Sequence, residues 1–390
     1  MSRRLAAISL GLAILFAAAP AGTARRPMYG GALRVEIGAG VSSLDSSVAF
    51  ANPDEGAWKK QLDALVHDPR TPERASVPGA PFKIAEWEPG KHATLVANEN
   101  ALGGRAFVDS VQIQMGRPPR EMLLDLELGK TDLAEIPVEQ ARRAAERGVR
   151  ISASQPDELL AIVFPEGRAA TEDPRVREAL GASIDRASIV TFILQKNGEA
   201  AGGLLPQWSS GTAFLFSTAA DPAHAKEIWA QIAGPPKLVL GYDSGDSLQQ
   251  SVAERIVVNA REAGIALTAQ ATQGGAPPAA AAVVDAQLIR LRMASPLPRA
   301  ALVNFLAVLG PLAKIEAPPL PELAAAQEIY DRERAAVDSK RVVPLVWLPQ
   351  VFGLSTRLRN WKTPGPGETW PLADVWLDGA VEPGAGKESR

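Results

Sequence analysis

Lys237-Leu238-Val239-Leu240-Gly241-Tyr242 and Ile265-Ala266-Leu267-Thr268-Ala269-Gln270 bracket the stretch that decides the fold. Between them Leu248, Val252, Ile256 and Ala260 recur at helical spacing, which places one apolar stripe on a helix. Ser247 is the expected N-cap, and Gly264 the stop. A strand, a helix and a second strand within about 30 residues make a β-α-β unit, whose strands run parallel through a right-handed crossover. The chain is therefore expected to be α/β.

Working outward, Asp173 precedes Pro174, and Val176, Leu180 and Ile184 follow at i, i+4 and i+8. That is a capped helix with proline at its first turn and one buried stripe. Strand patterns lie at Ala32 to Ile37, Phe82 to Trp87, His92 to Ala97, Val108 to Met115 and Val342 to Leu348. Glu88-Pro89-Gly90-Lys91 is a hairpin turn between two of them. Helices are expected around Trp58, Leu62 and Leu65, over Pro118 to Leu128 with Gly129 as the stop, and over Pro321 to Ser339. The segment from Thr272 through Pro277 and Pro278 reads as a loose loop.

Composition narrows the function classes. The chain has 390 residues, 41 basic against 44 acidic side chains and no cysteine. Disulfide scaffolds, thiolate metal sites and cysteine nucleophiles are thereby excluded. A charge of −3 does not suit a nucleic-acid partner, which selects for a basic surface. His67, His92 and His224 are scattered and none has a second histidine at ligand spacing, so no metal or cofactor is expected. Neither a nucleophile elbow nor a phosphate loop occurs, and Tyr29-Gly30-Gly31 precedes a strand instead of following one. The chain does not read as an enzyme.

Arg3 and Arg4, the apolar run Leu5 to Ala19 and the small residues ending at Ala24 have the order of a secretory signal. With no cysteine after the run there is no site for a lipid anchor, and a periplasmic location is expected.

Several segments in chain order resemble the family 5 extracellular solute-binding proteins, the peptide, oligopeptide and nickel binding components of ABC importers. Tyr29-Gly30-Gly31-Ala32-Leu33-Arg34-Val35 and Ser43-Leu44-Asp45 are similar to the family's opening strand and turn. Pro81-Phe82-Lys83-Ile84 resembles its Gly-Pro-Tyr-Lys-Leu segment, and Leu128-Gly129-Lys130-Thr131-Asp132-Leu133-Ala134 its Gly-Glu-Ile-Asp-Leu-Ala. Val176-Arg177-Glu178-Ala179-Leu180 through Ile184-Asp185-Arg186 looks like its Val-Arg-Gln-Ala-Leu helix, and Val343-Pro344-Leu345 and Asp374-Val375-Trp376-Leu377 look like its closing strands.

The resemblance implies a two-lobed periplasmic-binding-protein-like fold with mixed sheets and a hinge. Lobe I is expected over 25–155 with 346–390, lobe II over 156–345, and 1–24 as the signal. Relatives carry a large segment before the Gly-Pro-Tyr-Lys-Leu counterpart, for which Asp68 to Ala80 is too short, so one subdomain is expected to be missing. The implied function is delivery of a small solute to an ABC permease by a monomer; the alternative is a descendant that keeps the scaffold as an interaction or sensor protein of the envelope.

Candidate ligand contacts follow from position. Arg290, Arg292 and Ser295 stand where peptide-binding relatives carry an acidic loop, which favours an anionic or sugar-like solute over a peptide. Trp208 lies in a loop where relatives approach ligand, with the roles of platform and buried anchor both open. Trp347 and Gln350 follow the Val343 strand toward the hinge, Trp347 having core packing as its other role. For Arg177 and Arg186 the expected role is fold maintenance through carboxylates and strand ends.

Overall fold

A computed structural model describes residues 26–43, 53–67, 79–272, 284–315 and 318–379. The signal-like segment, Leu44 and Asp45, the stretch 68–78 and most of the proline-rich loop after Thr272 lie outside them. Seven strands come first in the chain: β1 (Ala32–Glu36), β2 (Val66–His67), β3 (Phe82–Glu88), β4 (His92–Ala97), β5 (Ser110–Gln114), β6 (Leu133–Ile136) and β7 (Arg150–Ala153). Six follow: β8 (Glu158–Val163), β9 (Glu199–Ala200), β10 (Leu238–Asp243), β11 (Leu267–Thr272), β12 (Ala286–Arg292) and β13 (Val342–Leu348). Then come β14 (Val351–Leu354) and a small ribbon of β15 (Leu358–Arg359) and β16 (Trp376–Leu377).

Two mixed sheets result. The first has the order β2-β3-β4-β5-β1-β6-β14-β7, and the second β11-β10-β12-β8-β13-β9. The backbone leaves the first sheet after β7 and returns to it at β14, so it crosses between sheets twice. In the second sheet β8 and β13 sit centrally and every residue of both is buried. Both are continuous apolar runs without a period to read; the sequence reading finds β13 by that run and misses β8.

The decisive stretch folds as its periodicity predicts. Strands β10 and β11 pair in parallel from Leu238 opposite Leu267 to Asp243 opposite Thr272, joined by the helix Ser247–Glu262. Gly264, at φ +80°, ends it. The cap is Asp246 and not Ser247: its carboxylate accepts the amides of Leu248 and Gln249, both at 3.0 Å. Ser247 Oγ instead donates to Glu139 Oε1 at 3.0 Å. Where acid and hydroxyl are adjacent, the charged acceptor at the extended residue takes the helix end.

Asp173 caps the helix Pro174–Ser183 through the amide of Arg175, as its sequence predicts. The turn between β3 and β4 closes through the Lys91 amide and the Glu88 carbonyl, with Gly90 at φ +72°. The helix expected from Pro321 begins later, at Ala326, with the Glu328 carboxylate accepting the Ala325 amide at 2.7 Å. Arg299 binds the Leu320 and Pro321 carbonyls, which holds the preceding segment out of the helix. Pro298–Ala313 is a helix that the sequence reading missed, because apolar residues surround it almost completely.

Three apolar cores hold the layers. One lies among β1, β3 to β5 and the helix Pro53–Leu65, with Trp58 edge-on to Trp370 at 4.4 Å between centroids. Another packs Leu302, Phe305 and Leu309 against Leu159 and Trp347. The largest spans both sheets, joining Met122, Leu126 and Ile136 to Ile162, Leu180 and Ile256. Arg177 and Arg186 do maintain the fold, but through backbone carbonyls. Arg177 donates to Thr171 and Glu172 O, and Arg186 Nε to Pro344 O at 2.8 Å, where a β-bulge frees that carbonyl. Burial lowers the Arg186 guanidinium to about 10.

Candidate functional site

The two crossovers between sheets run side by side. After β7 the chain passes through Ser154 to Asp157, and after β13 through Pro349 and Gln350. Ser154 N donates to Gln350 O, and Gln350 N to Ser154 Oγ, each at 2.9 Å. Asp157 N donates to Leu348 O at 3.0 Å, and Gln350 Nε2 to Asp157 Oδ2 at 2.6 Å. Paired segments of this kind let two layers rotate about a shared axis while their hydrogen bonds stay closed.

Charged side chains gather where β8 begins. Arg290 on β12 binds Asp246 Oδ2 at 2.6 Å and Glu158 Oε2 at 2.7 Å. Arg292, two residues on and on the same face, lies 3.4 Å from Glu158 Oε1 and 3.5 Å from Glu135 Oε1 of β6. The second of these contacts joins the two sheets, and Ser247 to Glu139 links the helical segments that follow β10 and β6. Burial pushes Glu158 up, but Arg292 and Arg290 outweigh it and hold the carboxyl below its ordinary range. Asp157 fares differently. Burial raises it to about 7, against the pull of Arg292 and the Gln350 amide and helped by Glu158 and Glu135. Its Oδ1 is buried without a hydrogen-bond partner.

Of the six residues singled out in the sequence, Trp208, Gln350, Arg290 and Arg292 bind Pro156, Asp157 or Glu158, whereas Trp347 and Ser295 do not touch them. Trp208 Nε1 donates to Pro156 O at 2.7 Å and its ring is half-buried. Gln350 holds Asp157, and both arginines hold Glu158. Ser295 follows Met293, whose amide donates to Asp157 O at 2.8 Å, and its hydroxyl accepts from Leu297 N. Trp347 is 2% exposed, pairs in register with Leu159 and packs on Phe305 at 6.2 Å, which makes it a core residue.

Sequence reasoning missed the carboxylates. Asp157 and Glu158 head an otherwise apolar strand, the one local sign that a buried charge needed partners. Asp246 was hidden by its neighbour Ser247, and Glu135 by distance along the chain. Their presence weakens the inference from Arg290 and Arg292 to an anionic solute, since both guanidiniums already have carboxylate partners within the protein. The same pairing removes the expected repulsion of a peptide's cationic end. Among the described residues no group of His, Asp and Glu side chains could hold a metal ion, and no helix is long and apolar enough to cross a membrane. His92 sits on β4 with its ring 3.2 Å from the Thr94 hydroxyl, and His224 lies 3.6 Å from Glu178.

A two-lobed α/β architecture with a paired crossover is the fold of the periplasmic binding proteins. Residues 60–307 match the model of the bacterial extracellular solute-binding proteins, family 5 (middle), and the chain belongs to that family. It is similar to the oligopeptide-binding protein AppA of Bacillus subtilis, 28% identical over 122 residues, which is 31% of this chain and 22% of that protein. It is also similar to the nickel-binding periplasmic protein of Escherichia coli, 23% identical over 219 residues, 51% of this chain and 42% of the relative. The chain thus spans less than half the length of either.

Solved structures of other binding proteins share the fold, two of them as follows. NikZ of Campylobacter jejuni, in complex with Ni(L-His), aligns with a TM-score of 0.62 at 20% identity over 76% of this chain and 68% of that one. DppA of Helicobacter pylori, in complex with the peptide STSA, gives 0.63 at 17% over 77% and 63%.

Proposed function

We propose that this chain is the extracytoplasmic solute-binding component of an ABC-type importer, closing its two lobes on a small solute and presenting it to a permease. The observation that supports this best is the pair of hydrogen-bonded crossovers with Arg292 and Glu135 meeting across them. Relatives bearing the names oligopeptide-binding and nickel-binding speak for binding over catalysis. The expected lobes, 25–155 with 346–390 and 156–345, are taken with the second boundary moved to the crossover at Pro349, because β13 runs in the second sheet as far as Leu348; the chain acts as a monomer, with 1–24 as an export signal directing it to the periplasm.

Trp208, Ser295, Gln350, Arg290 and Arg292 line the proposed cleft, and Trp347 supports them from the core. With four carboxylates around two arginines, the cleft suits a neutral or cationic solute better than an anion. The internal pairing of both arginines also gives weight to a second reading, a scaffold that serves as an interaction or sensor protein of the envelope without transport.

A thermal-shift screen against peptides, sugars, organic acids and metal complexes separates the two. A ligand of the native state at 100 times its Kd adds about 2.7 kcal/mol of stability, a shift of several degrees. Importer function requires at least one class to give such a shift, and a flat response across all of them at millimolar concentration would leave the scaffold reading standing.

A further inference from the structure

Glu333 lies on the helix Ala326–Asp338, 0% exposed, and among the described residues no cation is paired with it. Its Oε1 accepts the Leu205 amide at 2.8 Å, and the Leu204 amide also binds the carboxyl. Its Oε2 is buried without a partner. A carboxyl in such a place is costly, and two backbone amides from a segment 128 residues away are what it has in return.

The segment that supplies those amides is shaped to reach it. A Cβ on Gly203 would lie 2.5 Å from Glu333 Oε1 and 2.8 Å from the Phe216 ring, and one on Gly202 would lie 2.6 Å from Phe216 O, so the close approach needs glycine at both positions. Ala201 N donates to Leu345 O of β13 at 2.9 Å. Beyond Leu205, Pro206 opens the short helix Gln207–Ser210, and Trp208 Nε1 donates to Pro156 O of the first crossover at 2.7 Å. The segment is thus held by β13 at one end, by Glu333 in the middle and by the crossover at the other.

We propose that Glu333 is the positioning residue for Trp208, fixing from behind the backbone on which the indole reaches the crossover. The place of Trp208 in the cleft rests on the importer reading; its attachment to Glu333 does not. Burial raises the Glu333 carboxyl to about 7, against the pull of the Leu205 and Leu204 amides, so the hold varies around neutral pH. Ionised, the group makes charge-assisted bonds to both amides, about twice as strong as those to a neutral acid. The elements packed around it offer no rival. The segment Ala201 to Phe216 and β13 carry no charged side chain and no histidine. On the helix Pro298–Ala313, Arg299 binds the Leu320 and Pro321 carbonyls. On the helix of Glu333 itself, Glu328 binds the Ala325 amide, Asp331 accepts from Gln327, Arg332 binds the Pro318 carbonyl, and Arg334 binds Tyr330 and Asp338.

Fluorine NMR of the purified full chain, with its 8 tryptophans replaced by 5-fluorotryptophan, tests this without any solute, so its outcome is separate from that of the thermal-shift screen. Trp208→Phe identifies the resonance. Between about pH 5 and about pH 9 the Trp208 signal should move with a midpoint near 7, while those of Trp58 and Trp370, in the core of the first sheet, stay in place. In Glu333→Gln the amide oxygen accepts the same bonds and the step should vanish. Glu333→Asp keeps a carboxyl one methylene further from the amides and should shift the midpoint by about half a pH unit or more. Asp157→Asn removes the other carboxyl that burial raises to about 7, beside Pro156, and should leave the step intact. The proposal is overturned if the parent shows no step, if the step survives Glu333→Gln or keeps its midpoint in Glu333→Asp, or if Asp157→Asn abolishes it.

Discussion

Asp132 and Asp157 are both 0% exposed, both stand just before or at the head of a strand, and their carboxyls move in opposite directions. Asp132 lies within the first sheet. It accepts from Arg34 N and Nε at 3.0 Å, from Arg357 Nε at 2.6 Å and Nη2 at 2.8 Å, and from Ser355 Oγ at 3.0 Å. Burial alone would raise its pKa, but the two guanidiniums more than offset that and it ends below its ordinary value. Asp157 is buried as completely, yet it has one amide for a partner and two more carboxylates, Glu158 and Glu135, nearby. Burial sets the scale of a carboxylate's problem, and the count of cations against anions around it sets the sign.

The largest effect should come from breaking the satisfied site. Asp132→Asn leaves Arg34 and Arg357, whose side chains are 34% and 41% exposed, without the buried anion they share. Several charge-assisted hydrogen bonds are lost, but water can reach both remaining guanidiniums, so the cost is about 3 kcal/mol. Urea unfolding of the variant should register it, and a loss under about 1 kcal/mol would show that water reaches Asp132.

Titration sharpens the contrast. Asp157 binds its proton more tightly folded than unfolded, so its contribution is complete below about pH 4 and is lost as pH rises toward 7. Asp132 has the opposite sense: its contribution is present above the unfolded value of 3.8 and disappears as pH falls through its depressed folded value. Asp157→Asn should therefore be more stable than the parent at pH 8, by about 1–3 kcal/mol, and equal to it near pH 4. Denaturant midpoints measured at the two pH values test this, and equal midpoints at pH 8 would mean that Arg292 already keeps Asp157 ionised.

The smallest expected effect is at the edge of the Asp132 cluster. Ser355→Ala removes one hydrogen bond from an oxygen that Arg357 continues to bind, at a cost of about 1 kcal/mol. If the loss matched that of Asp132→Asn, the hydroxyl and not the guanidiniums would be the group that settles this carboxylate.

Much of the fold was legible in local chemistry. The stripe Leu248, Val252, Ile256 announced a helix, Gly264 its end, and Glu88 to Lys91 a turn, because those features depend on neighbours within four residues. The site was half legible. Its arginines, tryptophans and Gln350 could be picked out by position in the family, but their partners could not. Glu158 meets Arg290 across 132 residues of sequence and Gln350 meets Asp157 across 193, and no spacing rule reaches that far.

The sequence by itself determined the α/β character, the β-α-β unit with its parallel pair, the family resemblance and the lack of thiol chemistry, since each rests on composition or on short-range periodicity. Only the tertiary structure decided that Asp246 and not Ser247 caps the helix, that Trp347 is core, and that Arg290 and Arg292 are spent on the protein's own carboxylates. The physical reason is that a side chain's charge is a local fact, whereas its availability depends on what the sheets bring within 4 Å of it.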